Sequence, residues 1–241
     1  MPEELQSLTK RMMICKSGRG VVSPDYPLGD LCDDVDDEHL ASTQRQTLGG
    51  CPRADWVEEL VSSTSFCSTR KVSEAAWNCD VHSRILRQAL RCSSKAHGGN
   101  QLHWHNITTA SIEPTTLLPI ASKSASESTT FQAGKADFAL CLELPAHIAR
   151  QLSLAGVNTL NPTFYEAIRF SPLACTFETK LTGENWDDAK TQSETWASTH
   201  VSHLREMLQK AGRHARQAEA GDAMRLDPLG SMPALPLFIV Q

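Results

Sequence analysis

Hydrophobic positions are scattered without a sustained period over residues 1–53 and then fall into register. In ADWVEELVSS, which starts at 54, Trp56, Leu60 and Val61 share one helical face. A second helix fits 70–92, where Val72, Ala76, Val81, Ile85 and Leu90 recur near the helical period. HGGN at 97–100 breaks that pattern. QLHWHNITTASI then alternates as a half-buried strand does, and a short apolar run between Pro114 and Pro119 follows it. The Ser-rich residues 122–134 predict a loop.

Two further strands are predicted at ADFALCLEL (136–144) and PLACTFETKL (172–181). Between them AHIARQLSLAG predicts a short helix closed by Gly156, which can take the left-handed cap conformation. After the second strand, Thr182 or Asn185 stands ready to cap a long helix over about 186–218. Trp186, Ala189, Trp196, Leu204 and Leu208 form its core-facing stripe, and LPALPLFIV supplies a last strand. This order predicts an α/β or α+β domain over 54–241. Residues 1–53, with Asp30, Asp33, Asp34, Asp36, Asp37 and Glu38 close together, read as a flexible acidic extension.

Composition narrows the classes. The chain has 241 residues, 40% of them apolar and 21% charged, enough for a real core and ordinary for a soluble globular protein. No run approaches the roughly 18 apolar residues of a membrane span, and the N-terminus lacks the apolar segment of a secretory signal. A cytoplasmic, non-membrane protein is expected. The net charge of −5 argues against a coat-like nucleic-acid binder. Part of that charge lies at 30–38, so the folded domain is nearer neutral and a tRNA or DNA partner stays allowed. The eight cysteines are far apart with no C-x₂-C pair, which predicts free thiols rather than disulfides or a zinc site. Cys141, inside an apolar strand, reads as a small hydrophobe.

The chemistry-bearing residues cluster on two strands. Asp137 sits in GKADFAL, and Glu178 and Lys180 sit in CTFETKL. Residues two apart on a strand share a face, so Glu178 and Lys180 project together while Phe177 and Thr179 face the other way. If the strands are neighbours, Asp137 converges on that pair. Two carboxylates can hold Mg²⁺ by oxygen ligation, and a lysine can orient a nucleophile or neutralise charge on a phosphate or acyl oxygen. A lone E-x-K also occurs as a solvent-facing pair. His103 and His105 share a strand face at a spacing a metal can use, but no third ligand is near in sequence. Trp77, Trp186 and Trp196 read as packing residues, and KAGRHAR (210–216) as either a phosphate contact or a solvated helix face. Motifs of P-loop NTPases, α/β-hydrolases and zincins are missing from the sequence.

The blocks EAAWNCDVHSRILRQAL, NITTASIEPTTLLP, GKADFALCLEL, PLACTFETKLTGENWDDAKTQSETWASTH and LPALPLFIVQ, in that order, resemble the PD-(D/E)XK nuclease superfamily, and within it the fungal nuclease-like family. They span about 74–241. The resemblance implies a mixed central sheet flanked by helices. It makes Asp137 the acid of the second motif and Glu178 and Lys180 the E-x-K motif. Glu74 matches the acid of the first helix, and Gln192 the polar residue on the helix after E-x-K. Two departures stand out: an insertion at about 145–170, and an end at FIVQ where relatives add a strand. Either is expected to reshape the substrate cleft.

The family implies two activities. One is a Mg²⁺-dependent nuclease, cytoplasmic or nuclear, with Asp137 and Glu178 holding the ion. The other resembles a branch of fungal secondary metabolism, the arginine-containing cyclodipeptide synthases. These condense Arg from arginyl-tRNA with a second aminoacyl-tRNA-borne amino acid and need no cofactor. Asp187 and Asp188 match the start of that branch's Asp-Asp-x-x-Glu signature, with Thr at 191, and would meet the guanidinium. The ordinary role of such a pair is to stabilise a helix N-terminus. The synthase is the favoured expectation, the nuclease its alternative, and a non-catalytic interaction protein the third.

Overall fold

The computed structural model describes residues 3–23, 26, 36–40, 50–96, 102–113, 135–181, 186–218 and 237–240. The chain divides into two compact units, Met1–Asn100 and Gln101–Gln241. HGGN at 97–100, the run between Pro114 and Pro119, the loop at 122–134, the caps Thr182 and Asn185, and the acids Asp30, Asp33 and Asp34 all lie outside the described residues. So do the side chains of 211–216 in the basic stretch.

The first unit begins with a helix that periodicity does not predict, α1 (Glu3–Lys16). It is built from strong helix formers, but Met12, Met13 and Ile14 are exposed, so propensity rather than an apolar face carries it. The end of the acidic run is ordered as a 3₁₀ turn at Asp37–His39, where the Asp36 amide donates to His39 Nδ1 at 2.9 Å and Leu40 bridges to Val22. α2 (Ala54–Arg70) buries Cys67 and leaves Val61 61% exposed, so Val61 lies off the stripe assigned to it.

The helix expected over 70–92 is three pieces: α3 (Glu74–Trp77), a π turn at Asn78–His82 and α4 (Ser83–Ala96). Ser83 Oγ donates to the Asn78 carbonyl at 2.6 Å, and His82 Nδ1 bonds Asn78 Oδ1 at 2.8 Å. The wider turn shifts the phase of everything after it. Val81 is therefore buried while Ile85, from the same sequence stripe, is 42% exposed.

The second unit contains β1 (Leu102–Asn106), β2 (Phe138–Leu142), α5 (Ala146–Leu154), β3 (Leu173–Thr179), α6 (Trp186–Ala218) and β4 (Leu237–Val240). The strands form one mixed sheet in the order β1-β2-β3-β4, with antiparallel pairing except between β3 and β4, which are parallel. This is an α+β architecture. β1 stops earlier than its alternation suggests because Asn106 Oδ1 accepts from the Thr108 amide and hydroxyl at 3.2 and 2.7 Å, an Asx turn. The chain then turns inward, and Ile107, Ala110 and Ile112 join Ala139, Cys141, Ile168, Leu173 and Trp196 in the core. Gly156 closes α5 at φ +76°, as expected.

α6 packs against β3 and β4. Its buried face differs from the apolar stripe in the sequence. Trp186 and Leu208 are exposed, whereas Ala189, Ser193, Trp196, Thr199, His200 and His203 are buried. Thr195 and Thr199 satisfy their hydroxyls on the carbonyls four residues back, at 2.7 Å each, which lets small polar side chains take core positions.

Burial, aided by His203, pulls the His200 pKa down to about 4. The unfolded ring binds its proton near pH 6.5, so below that pH the unfolded state holds more protons than the folded one. Above pH 6.5 the ring has no effect. Stability is expected to fall as the pH drops from 6.5, by about 3 kcal/mol by pH 4. Urea unfolding midpoints between pH 7 and 4 check this, and His200→Gln should flatten that part of the profile.

All seven cysteines among the described residues are free thiols. Burial pushes Cys141 up to about 12 and Cys175 to about 11, so both are inert packing groups. No described helix is long and apolar enough to cross a membrane.

Candidate active site

Asp137 lies one residue before β2 rather than within it. Its backbone is fixed on both sides: the amide donates to the Phe177 carbonyl at 2.9 Å, and the carbonyl accepts from Ile107 N at 2.8 Å. That places its carboxylate at the seam of β2 and β3, level with the C-terminal end of β3. There Asp137 Oδ2 accepts two hydrogen bonds from Thr179, from the amide at 2.8 Å and the hydroxyl at 2.7 Å. Thr179 is the residue between Glu178 and Lys180. Sequence reasoning gave it no role, yet both its amide and its hydroxyl reach the Asp137 carboxylate.

Glu178 and Lys180 project together, as two-residue spacing requires. Lys180 Nζ stands 2.9 Å from Glu178 Oε1, with the side chains 13% and 4% exposed respectively. Asp137 is itself only 7% exposed. Strand burial accounts for this: β3 is covered by α6 and flanked by β2 and β4, so its polar residues have protein rather than water around them. A buried carboxylate is stable only when its charge is matched, and the lysine ammonium provides the match.

The structure thus brings Asp137, Glu178 and Lys180 to one end of the sheet, with Thr179 linking the acid of β2 to the E-x-K segment of β3. Chemically the group offers two carboxylates that can accept a proton or bind a cation, and one ammonium that can sit against a developing anion. Two oxygen-donor carboxylates suit a hard cation such as Mg²⁺, which usually takes only one or two protein carboxylates and fills its shell with water and substrate. Here an oxygen of each is already engaged, by Thr179 or by Lys180. No group of three or more His, Cys, Asp or Glu suited to a metal occurs among the described residues.

The other candidates fall elsewhere. Gln192 is half-buried on the second turn of α6, the helix that follows the E-x-K strand. Asp187 and Asp188 are exposed in the first turn of the same helix, where they oppose the positive end of its dipole. Glu74 opens α3 in the first unit, half-buried behind the Ser73 cap. His103 pairs with Glu143 at 3.0 Å and its ring centroid lies 6.5 Å from that of His105, whose pKa is lowered by burial and by His103. Trp196 is core as expected, Trp77 stacks on His82 with centroids 6.0 Å apart, and Trp186 is exposed.

No curated protein and no solved structure matches the chain. A family model does, that of the PD-(D/E)XK nuclease superfamily, over residues 26–241. The matched range contains Asp137, Glu178 and Lys180. The chain is a member of the PD-(D/E)XK nuclease superfamily.

Proposed function

We propose that this protein is a tRNA-dependent cyclodipeptide synthase of the arginine-using kind, in fungal secondary metabolism. It condenses Arg from arginyl-tRNA with an amino acid delivered by a second aminoacyl-tRNA. The observation that carries this reading is the buried Glu178–Lys180 pair at 2.9 Å, beside an Asp137 whose carboxylate is held by Thr179. Aminoacyl transfer needs a base for an attacking amine and a cation near the oxygen that becomes negative, and this pair offers both without a cofactor.

In the first step the α-amine of one aminoacyl group attacks the ester carbonyl of the other. A C–N bond forms, Glu178 takes the amine proton, and Lys180 faces the tetrahedral oxyanion. The C–O bond to the tRNA ribose then breaks and the proton passes to that oxygen. A second attack, by the free amine of the dipeptidyl-tRNA on its own ester, closes the diketopiperazine and releases the second tRNA. Asp187 and Asp188, exposed at the head of α6, are carboxylates available to a guanidinium. Gln192, on the helix that follows the E-x-K strand, completes the proposed set.

A second reading, which superfamily membership allows, is a Mg²⁺-dependent nuclease. In it Asp137 and Glu178 would hold the ion, which would supply charge stabilisation at the phosphate, and Lys180 would position the attacking water.

One pair of assays separates the readings. Pure protein is incubated with arginyl-tRNA plus mixed aminoacyl-tRNAs, and in parallel with plasmid DNA and Mg²⁺. Arginine-containing diketopiperazines by mass spectrometry are the expected result. Nicked plasmid without diketopiperazines, abolished by Asp137→Ala, overturns the synthase in favour of the nuclease. Neither product points to a non-catalytic interaction protein.

A further inference from the structure

β1 is an edge strand of the sheet, and His103 and His105 stand two apart on it. They therefore project from one face, with ring centroids 6.5 Å apart and ring planes at 50°. His103 is exposed and His105 half-buried. The local sequence around this pair holds no further ligand. The register of β1 on β2 adds an acid: Leu102 pairs with Leu142 and His103 with Cys141, which brings Glu143 level with the start of β1. Glu143, two residues beyond Cys141, shares that face, and its Oε2 stands 3.0 Å from His103 Nε2.

The contact fixes how the His103 ring presents its nitrogens. An ionised carboxylate only accepts hydrogen bonds, so Nε2 carries the hydrogen in this pair. The lone pair of the neutral ring is then on Nδ1, available to a ligand other than Glu143. A carboxylate on one nitrogen of a histidine is the usual support for a metal on the other. Two imidazoles on one tetrahedral ion, at metal–nitrogen distances near 2.0–2.1 Å, have centroids roughly 5 Å apart. The rings of His103 and His105 reach that separation by closing roughly 1–1.5 Å, a side-chain torsion that the exposed His103 is free to make.

We propose that His103 and His105 chelate a divalent transition-metal ion of the Ni²⁺, Cu²⁺ or Zn²⁺ class, with Glu143 orienting His103 and water completing the shell. Imidazole nitrogen suits these ions, whereas Mg²⁺ takes oxygen. One imidazole holds such an ion weakly, but the second ring meets it at high effective concentration. No third His, Cys, Asp or Glu converges on the pair among the described residues, so the site is open and its ion exchangeable. It shares no residue with the D…E-x-K group, and its occupancy is independent of which reaction that group performs.

The test uses the full chain, labelled with ¹³C in its histidine rings and titrated with Ni²⁺, a paramagnetic ion that broadens the signals of rings holding it. His103 and His105 are assigned from His103→Asn and His105→Asn. Of the nine histidines, these two are expected to broaden first and together, saturably and reversibly with EDTA. His105→Asn should weaken the His103 response about tenfold or more, because the chelate is lost. Glu143→Gln should weaken both responses about tenfold, the usual cost of losing a carboxylate behind a metal-binding histidine. Broadening that begins at other histidines overturns the proposal. So does a His103 response unchanged in His105→Asn or in Glu143→Gln, which would leave His103 and Glu143 a surface ion pair. Should the half-buried His105→Asn fail to fold, His103→Asn and Glu143→Gln, both at exposed positions, make the same comparison at His105.

Discussion

Lys180→Met is expected to destabilise the protein by about 3–5 kcal/mol, because it strips the counter-charge from a carboxylate that is almost fully buried. Glu178 is 4% exposed and Lys180 Nζ is 2.9 Å from its Oε1, so water cannot replace the ammonium without opening the strand. Glu178→Gln alone should act in the same sense, leaving the ammonium at a 13%-exposed position. The double variant Glu178→Leu/Lys180→Met should recover most of the loss, since paired buried charges are often no better than apolar replacements. Urea unfolding of the two single variants and the double gives the coupling directly.

Activity should not follow stability. The double variant is expected to make no diketopiperazine above background, and Lys180→Met, assayed at a temperature where it is folded, should lose about 10²-fold or more. A double variant with recovered stability and wild-type yield would make the pair purely structural and remove the basis of the proposed mechanism. This separation matters because the matching of charge explains why the pair is tolerated where it is buried, whereas a catalytic role would explain why a charged pair rather than an apolar one occupies the place.

What could be read from the sequence depended on how local the cause is. The bounds of α6 and the cap at Gly156 were legible because periodicity and glycine's left-handed freedom act over a few residues. The shared face of Glu178 and Lys180 followed from strand geometry alone. Two things were not legible. The bond from Thr179 to Asp137 depends on the register between β2 and β3, which residues 42 positions apart do not encode locally. The phase of α4 depends on the π turn at 78–82, which carries no signature in hydrophobic pattern. His203 escaped notice for a related reason. One histidine on a long helix resembles any other until the fold buries its ring and leaves Nε2 without a hydrogen-bond partner among the described residues.

The same logic identifies the side chain on which the second unit depends most. Trp196 is fully buried and belongs to the cluster with Ile107, Ala139, Cys141, Ile168 and Leu173, so it joins α6 to the sheet where the helix otherwise presents small or polar residues. Trp196→Ala is expected to lower stability by about 3–5 kcal/mol, through lost burial plus the cavity left behind. Trp196→Phe should lose much less, about 1–2 kcal/mol, for two reasons that oppose each other. It removes part of the ring, but it also removes an indole N–H that is buried without a partner among the described residues. Urea midpoints at constant slope measure both changes. The comparison is sharper than either value. If Phe and Ala were equally damaging, an unseen partner of the indole N–H would be carrying the site. If neither mattered, the polar face of α6, with Thr195 and Thr199 bonded to their own helix, would be holding the sheet by itself. Because Gln192 sits one turn before Trp196, a loose α6 should also lower product yield in Trp196→Ala at temperatures where the sheet is still folded.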